Sequence, residues 1–133
     1  MKTGDHFTCE FSFTQEDVEK FSELTGDNNP IHLNEEFASK TVFKKPIMHG
    51  FLSGSIFSKV LGTLFPGEGT IYLSQTMEFK RPMFVNEIYE AEFTVKETFI
   101  SKSRAAISTI IKDKNTGKEM IVGEAMVMNK NIE

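Results

Sequence analysis

Apolar and polar residues alternate strictly from His6 to Phe13: Phe7, Cys9, Phe11 and Phe13 fall on one parity, His6, Thr8, Glu10 and Ser12 on the other. A two-residue period of this kind predicts a half-buried β-strand. At Thr14 the pattern changes. Thr14 followed by Glu16 and Asp17 predicts a helix N-cap with acidic residues in the first turn. Val18, Phe21 and Leu24 would then be the apolar stripe of that helix, and Gly26 its end.

From Asp27 to Pro46 the periodicity lapses into a polar stretch, broken by a short predicted helix from Asn34 to Ser39 with Asn34 as its own cap. A loop this long in a compact domain is functional or disordered. His49 to Phe65 reads differently, because Phe51, Leu52, Ile56, Phe57, Val60, Leu61, Leu64 and Phe65 occupy nearly every side of a helical wheel. Such a helix, roughly 25 Å long at about 1.5 Å per residue, is expected to be wrapped by protein. Pro66 and Gly67 close it. The rest of the chain predicts strands at Thr70 to Lys80, Glu87 to Phe99, Ser103 to Asp113 and Glu119 to Asn129, with Lys114, Asn115, Thr116 and Gly117 as a hairpin turn. One enclosed helix plus a run of antiparallel strands implies an α+β domain, a curved antiparallel β-sheet wrapped around a long central helix. That is the hot-dog architecture.

The length of 133 residues fits one domain, residues 1–133, and 39% hydrophobic residues suffice for a core. No apolar run is long enough to span a bilayer and Met1 to Asp5 lacks the layout of a secretory signal, so a cytoplasmic protein without a membrane partner is expected. The net charge of −4 is spread along the chain without a long basic run, which disfavours nucleic acid. Two short basic pairs, Lys44 with Lys45 and Lys80 with Arg81, suit a few ligand phosphates better than a polymer. Cys9, the single cysteine, allows no internal disulfide and no thiolate cage, and reads as a small buried hydrophobe.

The chemistry-bearing residues cluster between Asp27 and Gly50. Asp27 and His32 stand five residues apart across Asn28-Asn29-Pro30, a spacing that Pro30 stiffens. Turn statistics alone would make this run merely a turn. Its position before the buried helix favours a carboxylate and an imidazole working as acid and base. Gly50 begins that helix, where backbone N–H groups lack intrahelical partners and the dipole favours negative charge. Gly50, Gly54, Phe57 and Leu61 share one helical face with Ser58 at its margin, suiting a thioester carbonyl above and an acyl tail below. His49 reads as a neighbour of the helix cap or a core histidine supporting the site, and His6 as an exposed strand residue. The three histidines match no ligand spacing, so no metal is expected.

Taken together these residues resemble the MaoC-like family, and within it the short (R)-specific enoyl-CoA hydratases of polyhydroxyalkanoate and fatty-acid metabolism. Three ordered blocks carry the resemblance: Phe21 to His32, ending in Gly-Asp-x-Asn-Pro-Ile-His; Pro46-Ile47-Met48-His49-Gly50 with the following helix; and Ile71-Tyr72 through Phe79-Lys80-Arg81-Pro82. Asn86 departs from the pattern, where the family more often has Gly before an acidic residue; Asn tolerates the same left-handed turn. The resemblance implies that Asp27 and His32 hold a catalytic water, that Asn29 fixes their loop, and that the Gly50 N–H is the oxyanion donor supported by Ser58. It implies no cofactor, an acyl-CoA thioester substrate, and a homodimer joined sheet edge to sheet edge with each cleft at the interface. Leu61 and Met126 would then bound the acyl pocket with Phe57. The alternatives at this point are a 3-hydroxyacyl-acyl-carrier-protein dehydratase, a thioesterase, and a non-catalytic acyl-CoA binding protein.

Overall fold

The computed structural model describes residues 1–132. Strand β1 (His6–Phe11) leads into helix α1 (Gln15–Thr25), followed by the short helices α2 (Pro30–Leu33) and α3 (Glu35–Ser39) and the central helix α4 (Gly50–Thr63). Strands β2 (Ile71–Phe79), β3 (Tyr89–Phe99), β4 (Arg104–Asp113) and β5 (Glu119–Met128) complete the chain. All pairings are antiparallel, and the five strands lie in the order β1-β3-β4-β5-β2, leaving β1 and β2 as open edges.

Local chemistry explains most boundaries. Thr14 and Asp17 form a reciprocal capping box at the start of α1, and Gly26 ends it in the left-handed conformation at φ 81°. The Asn34 side chain caps α3 by accepting from the Phe37 N–H. Asn86 sits at φ 64°, the left-handed turn expected there. Helix α2 was not expected from the polar run. Its signal was present, since Asn29 caps it and Pro30 occupies the first helical position.

The core lies between the concave face of the sheet and α4: Phe57, Val60 and Leu61 from the helix meet Phe93, Ile107, Ile111, Ile121 and Val127 from the strands. Phe57 stands edge-on to Phe93, with ring centroids 5.8 Å apart at 89°. Two expectations fail here. Leu24 is 86% exposed, because α1 packs through Val18, Phe21 and Ser22, and Leu24 points off that face. Nor is α4 wrapped on every side: the open sheet covers only part of its circumference, and Phe51, Ser55, Ser58 and Lys59 face outward.

Candidate active site

The segment between α1 and α4 is built by side chains hydrogen-bonding nearby backbone, so its polar composition is what gives it shape. The Thr25 hydroxyl accepts from the Asp27 N–H at 3.2 Å, Asp27 Oδ1 from the Asn29 N–H at 3.4 Å, and Asn29 Oδ1 from the Ile31 N–H at 3.2 Å. Asn29 thus takes part in the loop's own hydrogen bonding through its side chain. The Ile47 N–H then donates to the Ile31 carbonyl (3.2 Å) and the Met48 N–H to Met83 (2.8 Å), lacing the strap before α4 to both neighbours.

His32 is buried and held at both ends. Gln15 Nε2 donates to its carbonyl at 3.2 Å, and its ring Nδ1 lies 2.7 Å from the Ile47 carbonyl. A carbonyl only accepts, so the proton sits on Nδ1 and Nε2 carries the free lone pair. His49, 2% exposed, stacks on this ring with centroids 3.9 Å apart and lies 4.8 Å from the Phe21 ring on another side. His49 Nε2 donates to the Asp27 carbonyl at 3.1 Å and to the Ser22 hydroxyl at 3.0 Å. Burial pushes the His49 imidazole below its ordinary pKa, toward the neutral form, with the His32 ring adding to the effect and the Asp27 carbonyl and carboxylate opposing it.

One carboxylate oxygen of Asp27 and one ring nitrogen each from His32 and His49 lie within 4.8 Å of one another. A single water making two hydrogen bonds of about 2.8 Å spans such a gap. The set is poorly made for zinc. His49 Nε2 is committed as a donor and its Nδ1 is closed to solvent, leaving one carboxylate and one imidazole where a zinc site needs at least three protein ligands.

Next to this group the first turn of α4 opens onto a cleft of about 420 Å³ lined by His32, Gly50, Phe51, Ser53, Phe79, Lys80 and Arg81, with Met48, Met83 and Ile121 among its apolar walls. The Gly50 N–H makes no hydrogen bond within the described residues. A Cβ there would lie 2.6 Å from the Phe79 ring, so a side chain at this position requires that ring or the helix start to move. Asp27 is exposed at the rim and does not form the cleft wall. A second cleft of about 420 Å³ lies beyond Phe51, between α4 and β2, lined by Gly54, Ser55, Ser58, Tyr72, Gln75 and Met77. Tyr72 donates there to the Gln75 amide oxygen, and Gln75 Nε2 donates to Thr109 Oγ1 at 2.8 Å.

Asp27, His32, His49 and Gly50 are thus brought together, and Asn29 braces them. The other expected site residues fall elsewhere. Ser58 opens onto the second cleft, away from Gly50. Phe57 and Leu61 are sealed in the core at 0% and 1% exposure and line neither cleft, because the inner face of α4 is the one the sheet covers. Met126 lies on the convex face: its neighbours Ala125 and Val127 are in the core, and alternation turns Met126 to the side of Glu124, which pairs with Lys96 at 2.9 Å. Sequence reasoning missed Ser22 and the Ile47 carbonyl, both of which act through tertiary contacts.

Residues 3–120 match the family model for the MaoC like domain. The chain is 41% identical to the (R)-specific enoyl-CoA hydratase of Aeromonas caviae, over 96% of its own length and 94% of that protein. It is also 41% identical to the 3-hydroxybutyryl-CoA dehydratase of Methylorubrum extorquens, over 84% of this chain and 69% of the relative. The solved structure of the (R)-hydratase from A. caviae, involved in PHA biosynthesis, superposes with a TM-score of 0.91 at 38% identity, covering 96% of each chain.

Proposed function

The chain belongs to the MaoC-like dehydratase family, and from that membership we propose that it is an (R)-specific enoyl-CoA hydratase, a hydro-lyase adding water to trans-2-enoyl-CoA. The observation that carries the reading is the convergence of Asp27 and His32 within 4.8 Å beside an unpaired helix N-terminus. Conjugate addition of water to an enoyl thioester builds negative charge on the carbonyl oxygen as C3 is attacked. An N–H that meets that oxygen stabilises the transition state more than the ground state. The Gly50 N–H is that donor.

The water is held between the Asp27 carboxylate and His32 Nε2, which the Ile47 contact leaves as an acceptor. Asp27 takes the proton as the oxygen bonds to C3, and the pair returns a proton to C2 on the same face. The net change is one O–H bond and the C2=C3 π bond broken, with one C–O and one C–H bond formed, giving syn addition and an (R)-3-hydroxyacyl-CoA. Lys80 and Arg81 in the cleft wall supply positive charge for the phosphates of CoA.

The functional unit is a homodimer. The open edge of β2 and the exposed Ile71, Leu73 and Phe79 along it favour pairing with a second copy, which would cover Asp27 and complete the cleft. Among the described residues no helix is long and apolar enough to cross a membrane; a cytoplasmic place of work rests on the likeness to the hydratase of A. caviae.

Hydration of crotonyl-CoA, followed by loss of enoyl absorbance and chiral analysis of the product, tests the reading. Asp27→Asn, at an exposed position, should fold normally and lose on the order of 10²- to 10⁴-fold in kcat. Undiminished turnover in that variant removes the mechanism, and turnover on carrier-protein thioesters alone would move the protein to the dehydratase class.

A further inference from the structure

Of the groups around the site, His49 is the one whose chemistry the hydration steps above leave unused. It does not line the cleft and its Nδ1 is buried with no partner. A residue needed only to fill space gains nothing from such a nitrogen, and a phenyl ring would pack there without it. What the imidazole supplies is a set of links. Its Nε2–H reaches the Asp27 carbonyl at 3.1 Å and the Ser22 hydroxyl at 3.0 Å. Its face lies against the His32 ring, 3.9 Å between centroids and 29° from parallel. Its own carbonyl accepts the first intrahelical bond of α4, from the Ser53 N–H at 3.1 Å, and the next peptide N–H is that of Gly50.

The rest of the scaffold holds these parts weakly or one at a time. The Asp27 side chain receives a single long bond of 3.4 Å from the Asn29 N–H, and the Ile47 carbonyl fixes the tilt of the His32 ring but not its distance from Asp27. Among the hydrogen bonds and ring contacts of the described residues, those of His49 join the backbone of the carboxylate residue, the ring of the catalytic imidazole and the start of the donor helix.

We propose that His49 is a positioning residue that sets the separation between the Asp27 carboxylate and the His32 imidazole and ties both to the Gly50 N–H. The proposal rests on the hydratase reading for its catalytic meaning, and the positional claim has its own readout. Two variants separate the links. His49→Phe keeps a ring against His32 and removes the donor; His49→Gln places an amide N–H near Nε2 and removes the ring.

With crotonyl-CoA, His49→Phe should lose roughly a hundredfold in kcat, the scale of a misplacement of about 1 Å, with KM changed little. His49→Gln should recover at least a tenth of wild-type kcat. A purely structural role would instead make both variants lose activity in proportion to lost thermal stability. Equal kcat in His49→Phe and wild type, or no recovery in His49→Gln, overturns the proposal. Should His49→Phe fail to fold, Ser22→Ala takes its place, with a several-fold lower kcat at constant KM expected and an unchanged kcat overturning the idea.

Absent wild-type turnover would refute the hydratase reading and leave the positional claim to be decided by nitrogen NMR of the imidazoles. There, His49 should be in the Nε2–H form, and the His32 signals should move in His49→Phe. Unmoved His32 signals, or a His49 protonated at Nδ1 instead, would end the claim without reference to activity.

Discussion

Adding one methyl group at Gly50 tests whether the start of α4 works as a donor or only as a packing surface. A Cβ there would lie 2.6 Å from Phe79 Cε1, 2.9 Å from Cδ1 and 3.0 Å from Cζ. Carbon atoms pack at about 3.5–4.0 Å, so the ring or the helix must yield by about 1 Å. Phe79 lies on edge strand β2 and is 48% exposed, so the ring can turn outward, which puts the stability loss near the bottom of the range of about 1–3 kcal/mol for overpacking. Whatever displacement the ring does not absorb passes to the first turn of α4 and moves the Gly50 N–H. Complete loss of an oxyanion donor costs about 10²–10³ in kcat, so Gly50→Ala should fall by roughly ten- to a hundredfold. Because the interaction belongs to the transition state, kcat and kcat/KM should fall by the same factor. The decisive comparison is the double variant with Phe79→Ala, which gives the methyl room. Its kcat should return to within about threefold of Phe79→Ala alone, a coupling that a double-mutant cycle measures directly. A Gly50→Ala protein that is folded by circular dichroism and fully active refutes the reasoning. So does a double variant as slow as Gly50→Ala.

Further outcomes follow from the charges and phenols. Lys80→Gln should raise KM for crotonyl-CoA with kcat unchanged, since Lys80 lines the cleft and takes no part in the proposed proton transfers; steady-state kinetics at low and moderate salt check this. Both tyrosines should ionise late in the folded protein, because burial pushes Tyr72 up to about 12 and raises Tyr89 as well. A phenol raised on folding favours the native state below its unfolded pKa of about 10, and that stability is lost as pH climbs from there through the folded value. Thermal midpoints should therefore decline above that pH, less steeply in Tyr72→Phe. A native phenolate spectrum that develops at the ordinary tyrosine pKa would contradict this.

The elements that could be read from the sequence are those whose causes are local. Alternation gave β1, the Thr14–Asp17 box and Gly26 gave both ends of α1, and Asn34 gave α3. The Asp27–His32 pair was legible for the same reason, since a five-residue spacing across a stiff turn confines both groups to one neighbourhood. What failed depended on which face meets what. Leu24 has the spacing of a core residue, yet α1 is rotated to present Ser22 to His49. Phe57, Leu61 and Met126 were assigned to a tail pocket from helical phase and strand position, but the phase of an element says nothing of which side its neighbours cover. The Ile47 carbonyl fixes the His32 tautomer across fifteen positions of chain, through a backbone group that carries no residue identity to read.

Helix α4 presents Phe57, Val60 and Leu61 to the interior and begins at Gly50, whose N–H is the proposed oxyanion donor. Loosening that interior would therefore misalign catalysis before the chain came apart, and no partly melted form should retain turnover. Residual rate along a urea titration should then fall at lower denaturant than any spectroscopic signal of unfolding, the gap between the two curves measuring how early the helix start loses its alignment.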